Sequence, residues 1–153
     1  MRPSERVSMN QISEVLDHAV EYLQHINKVI DEELASAPSQ RVGMLLTAFA
    51  GAQQGLSDAI ERYAEDATDR VLNTFVNFSA ELPAAIAGPV SADSTLLVTQ
   101  WLVGVNKHLY DLFNEVAGLA RGEEVRIAFQ GLASQVEAHE RKLSKEYQRF
   151  EDL

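Results

Sequence analysis

The sequence predicts an all-α fold, an up-down-down-up four-helix bundle with one long crossover between its second and third helices. Three observations carry this. Apolar residues recur at three- and four-residue spacing almost throughout, and no segment alternates convincingly with the period of two that a half-buried strand requires. One connection alone is long, "SAELPAAIAGPVSADS" at 79–94 with Pro83 and Pro89, and a connection of that length runs along a bundle rather than turning at its end. The 153 residues, 46% of them apolar and only 4 of them proline, suffice for a single domain over 1–153 with its own core.

The first helix is expected over about 10–35, with Ser8 or Asn10 as N-cap and Ile12, Leu16, Ala19, Leu23, Ile26 and Ile30 as its stripe. "SAPSQ" breaks the chain at Pro38, and Ser39 caps the second helix, expected over 40–78 with Val42, Leu45, Phe49, Leu56, Ile60 and Tyr63 on one face. Gly43, Gly51 and Gly55 weaken that helix by up to about 1 kcal/mol each relative to Ala, a cost that a close helix crossing would explain. The third helix, over 94–120, carries Leu102, Val105, Leu109, Leu112, Val116 and Leu119. "ARGEE" then turns the chain through Gly122. Glu123 and Glu124 suit the positive N-terminal end of the fourth helix, 123–151, whose stripe includes Val125, Phe129, Leu132, Val136, His139 and Leu143.

Charge and composition exclude several classes. With 13 Lys and Arg against 23 Asp and Glu, the net charge is −10, and the basic residues are scattered singly (Arg62, Arg70, Lys107, Arg126). Nucleic acid needs clustered cations, and acidic membrane surfaces would repel such a chain. No run approaches the roughly 18 apolar residues that insertion in a bilayer requires. The absence of cysteine removes disulfides, thiolate metal sites and cysteine nucleophiles, and suits a reducing compartment. "MRPSERVSMN" lacks the apolar stretch of a signal peptide, so a cytoplasmic protein is expected. No glycine-rich phosphate loop occurs, and no base is placed beside Ser57, Ser79 or Ser134.

Histidines and carboxylates are the remaining candidates for chemistry. Glu14, His18, Glu21 and His25 follow one another at the four, three and four spacing of a metal-binding stripe. Each lies two positions beyond a member of the apolar stripe, and two residues turn a helix by about 200°. This set is therefore expected on a solvated face with i,i+4 charge pairs, an exposed metal or partner contact being the alternative. His139 differs, because Val136 and Leu143 place it within the apolar arc. It reads as a core histidine partnered by Asn106 or Glu140, against the alternatives of a degraded ligand position or a working polar site. Trp101, Tyr22 and Phe75 lie off the main core lines, where they are either partly buried or part of a subunit interface.

The segments "NKHLYDLFNEVA", 106–117, and "LASQVEAHERKL", 132–143, together resemble the second helical hairpin of the rubrerythrin branch of the ferritin-like superfamily. Leu112-Phe113 falls on that family's hydrophobic–aromatic pair, and Leu132-Ala133 and Leu143 fall on its fourth-helix landmarks. The resemblance covers most of 95–150 well and 10–78 loosely, and it implies a ferritin-like bundle around a di-iron site. The ligands do not follow. Asn106 stands at the bridging Glu, Val136 at the Glu of Glu-x-x-His, and only His139 remains. Glu137, one residue on, is swung about 100° around the helix. In the first hairpin the ligand pair falls on Phe49 and Ala52 or on Gln53 and Leu56, and the first-helix glutamate on Leu23 or Gln24.

Such a centre needs about four carboxylates and two histidines facing inward. The expectation is therefore a non-catalytic ferritin-like protein with a degenerate di-iron site and no cofactor, serving as an interaction or assembly module for a protein partner or as a homodimer. The alternative is an iron or manganese oxidoreductase with non-standard ligands drawn from His139, Glu140, Asn106, His108 and Gln53.

Overall fold

The computed structural model describes residues 6–36, 39–81, 88–89 and 94–151. In chain order these form strand β1 (Arg6–Gln11), helices α1 (Ile12–Ala35), α2 (Gln40–Asp66) and α3 (Asp69–Leu72), strand β2 (Phe75–Glu81), and helices α4 (Thr95–Leu119) and α5 (Glu123–Glu151). The all-α expectation holds for four long helices, while a fifth short helix and a two-stranded sheet are additions to it.

Short polar side chains start three of the helices. Ser39 Oγ accepts from Val42 N–H at 3.3 Å, Thr68 Oγ1 from Val71 N–H at 3.3 Å, and Ser94 Oγ from Leu97 N–H at 3.2 Å, each supplying a partner to a free N–H of the first turn. The start of α1 is met differently. Neither Ser8 nor Asn10 caps it, since both belong to β1 and the cap position is Gln11, which makes no side-chain cap bond. Ile12 N–H instead donates to Thr74 O at 3.1 Å, tying α1 to the link between α3 and β2.

α1 packs on α2, α4 on α5, and α2 on both α5 and α4. Their apolar stripes meet in one core that includes Ile26, Leu45, Leu102, Phe113, Phe129 and Val136. The Phe129 ring lies 6.0 Å from that of Phe113 and 6.2 Å, edge-on, from that of Tyr63, so the aromatic contacts join α2, α4 and α5. Side chains of this size contribute about 1.5–3 kcal/mol each on burial.

The second predicted helix was expected to continue to 78, but α2 ends at Asp66. Beyond it, Val76, Phe78 and Ala80 alternate with Asn77 and Ser79, the buried members of β2 facing the core. β2 pairs antiparallel with β1, Met9 opposite Phe78 and Gln11 opposite Phe75. One residue of β1 therefore faces two of β2, a bulge that Asn77 accommodates at φ 45°, a left-handed conformation that asparagine tolerates. β1 lies against α1 and β2 against α4.

Pro38 and Pro83 lie outside the described residues, as does most of the crossover. Of that connection, Gly88 has φ +94°, and a Cβ there would stand 3.3 Å from Val29 of α1. The close crossing invoked for Gly43, Gly51 and Gly55 does not occur, because a Cβ at any of the three would meet nothing within 4 Å. Among the described residues no helix is long and apolar enough to cross a membrane.

Candidate functional site

Several of the positions that a ferritin-like frame would assign to ligands are filled by hydrocarbon. Leu23, Phe49, Leu56 and Val136 are buried in the core, while Gln24 is exposed. Asn106 and Gln53 are buried too, and with His18 they make up the buried polar side chains of the described residues. Neither Nε2 nor Oε1 of Gln53 has a hydrogen-bond partner, nor does Nδ2 of Asn106. His139 stands half-buried at the seam of α2 and α5, in a small cavity with Ala48, Phe49, Ala52, Lys142, Leu143 and Glu146. Burial holds its pKa below the ordinary value, and the charge of Lys142 adds to this. Glu140 is half-buried beside it in sequence. Among the described residues no group of three histidine, cysteine, aspartate or glutamate side chains could hold a metal ion.

Of the three aromatics that the sequence leaves open between partial burial and a subunit interface, two are buried. Trp101 and Tyr22 belong to the core of the chain and are unavailable as subunit contacts; Phe75 alone is exposed, at 65%. Their distance from the main stripes reflects a core wider than one stripe per helix, not an outward face.

Tyr22 belongs instead to a cluster that the solvated-face assignment of His18 had excluded. His18 is buried, and its Nε2 lies 3.2 Å from Nε2 of His108 on α4. Glu14, Glu21 and His25 remain on the exposed side. The position of His18 follows from geometry. A helix flanked by α2 and α4 buries a broad arc, and His18 is about 60° from Val15 and about 40° from Tyr22 around α1. The Tyr22 ring lies 4.5 Å from the His108 ring and 6.4 Å from that of His18.

Burial dominates the electrostatics of this cluster. It lowers the pKa of His108 to about 4, helped by the neighbouring His18 and opposed by Asp111. It also lowers that of His18, against the pull of Glu21. Two neutral imidazoles, one donating and the other accepting, satisfy the 3.2 Å contact. Burial pushes the Tyr22 hydroxyl above the usual phenol range, and that hydroxyl has no hydrogen-bond partner. Beside His108 opens a cavity of about 290 Å³, lined by Ser79, Asp111 and Glu115 together with Phe78, Ala80 and Leu112. Asp111 also pairs with Lys107 at 2.7 Å.

A second feature lies on the other side of α1. A groove of about 400 Å³ between α1 and α2 has a floor of Leu16, Val20, Ile60 and Ala64 and rims of Asp17, Glu21, Glu61 and Glu65. The four carboxylates are exposed, and each rim carries its pair at i,i+4. No ion pair between described residues involves them. Sequence reading registered the acidic surplus but not its placement, since the groove exists only once α1 and α2 are side by side.

No known protein family, curated protein or solved structure matches this chain.

Proposed function

We propose that this chain is a non-catalytic, cytoplasmic helical module of ferritin-like architecture that binds a protein partner through the acidic groove between α1 and α2. The observation that carries the reading is the groove itself, an apolar floor at helical spacing between two rows of exposed carboxylates. That chemistry fits a basic amphipathic helix, whose apolar face covers Leu16, Val20, Ile60 and Ala64 while its Lys and Arg meet both rims. The ferritin-like part rests on two antiparallel hairpins, α1–α2 and α4–α5, with α2 against α5 and α1 reaching α4 through His18 and His108. The non-catalytic part rests on the hydrocarbon and neutral amides at most of the ligand positions, since hard cations need anionic oxygens there.

Fluorescence anisotropy with a labelled helical peptide of alternating Leu and Lys faces tests the binding. Affinity is expected to fall with added salt and to drop about tenfold or more in the Glu61→Lys, Glu65→Lys double variant. Equal affinity for that variant, or equal binding of a scrambled peptide, would overturn the reading. Light scattering on the same samples separates a heterologous partner from self-association: a dimer whose contacts cover the groove would replace the peptide by a second copy.

A further inference from the structure

We propose that His18 and His108 together bind one late first-row divalent transition ion, of the Zn²⁺ or Cu²⁺ type, at the seam between α1 and α4. This site shares no residue with the acidic groove or with the ligand positions of the ferritin-like frame, although Glu21 of the groove rim acts electrostatically on His18.

The distance between the two nitrogens is the first support. Two Zn–N bonds of about 2.0–2.1 Å meeting at a tetrahedral angle set their nitrogens about 3.3–3.4 Å apart. The two Nε2 atoms stand 3.2 Å apart with their ring centroids 5.5 Å apart, so the rings point at one another, and an ion enters once each ring turns toward a point off the line between them. The second support is the surroundings. The cavity opens beside His108 and is not lined by His18; it leaves room for water at that one ring, and Asp111 and Glu115 line it with negative charge. Tyr22 packs on the His108 ring.

The ligand count sets the character of the site. No third histidine, cysteine, aspartate or glutamate completes it among the described residues. A structural zinc site is closed by four protein ligands, whereas a site with open positions keeps water or exchanges its ion. His18 and His108 accordingly define an exchangeable site. Imidazole nitrogens select the late transition ions over Mg²⁺ and Ca²⁺, and Cu²⁺ ranks above Zn²⁺ and Mn²⁺ in affinity.

Isothermal titration of the untagged full chain with ZnCl₂ near neutral pH tests this, paired with imidazole ¹H–¹⁵N spectra. The expected result is one Zn²⁺ per chain, with the His18 and His108 resonances shifting together and excess Mg²⁺ failing to displace it. His18→Gln and His108→Gln should each weaken binding about tenfold or more, while His25→Gln should not. Absence of Zn²⁺ binding, equal affinity in His108→Gln, or saturation without a shift at the two named rings would each overturn the proposal. The spectra of the unaltered chain decide the matter even if a variant fails to fold.

Discussion

Gln53→Met probes whether the centre of this molecule is a closed apolar core. Gln53 is 2% exposed, and both heavy atoms of its amide lack partners. An unmet buried polar group costs about 1–3 kcal/mol. Methionine keeps the unbranched length of glutamine and ends in a thioether that packs in apolar surroundings. The substitution should therefore raise unfolding free energy by about 1–3 kcal/mol, most of one group's cost. For a chain of this size each kcal/mol moves Tm by about 2–4 °C, so a rise of roughly 2–12 °C is expected. Urea denaturation followed by circular dichroism reads the change as a higher midpoint at unchanged slope. Asn106→Leu should give a smaller gain, having one unmet atom to remove. A loss of about 1 kcal/mol or more in Gln53→Met would show that the amide is satisfied by a buried water or a ligand. The centre would then be a polar site, and the account of a ferritin-like frame refilled with hydrocarbon would fail.

Acid should destabilise the fold through the α1–α4 histidines. The unfolded chain binds more protons than the folded one between the ordinary histidine value of 6.5 and the folded His108 value of about 4, so this stability is full above 6.5 and is lost as pH falls through that window. The shift is worth about 3 kcal/mol unscreened and about 1–2 kcal/mol with water in the adjoining cavity; melting curves from pH 7 to 4 should flatten by that amount in His108→Gln. Gly51→Ala and Gly55→Ala meet open space on α2 and should each add up to about 1 kcal/mol, seen as a rise in Tm for each single variant. Ser39→Ala removes the cap of α2 and should cost about 1 kcal/mol in urea denaturation. His139→Leu adds an apolar side chain beside Phe49 and Leu143 and should leave Tm level or higher; a clear drop would reveal a polar partner.

The helices were legible because their signals are local. Ser39 caps α2 as its position before an apolar run predicted, and Glu123 and Glu124 occupy the first turn of α5. The strands were not, although Val76, Phe78 and Ala80 alternate in plain view. Alternation over so few residues competes with the long helical period running into it, and a two-stranded ribbon is stable only through what it packs against. β1 carries even less, since its pairing partner lies on the far side of three helices in sequence. His18 was misplaced for a related reason. A single stripe locates the face toward one neighbour, whereas α1 has α2 on one side and α4 on the other, and the second neighbour is a tertiary fact. Gln53 and Asn106 are buried, and their want of hydrogen-bond partners could come only from coordinates.

The β1–β2 ladder sets an order of assembly. α4 and α5 meet across a turn of a few residues, a short search for the chain, whereas Arg6 reaches Glu81 only after everything between them has folded back. The ribbon is thus a late clasp, and beside it the bond from Ile12 to Thr74 fastens the root of α1. Amide exchange should find the ribbon opening well before the α4–α5 pair, with the beginning of α1 loosening alongside it.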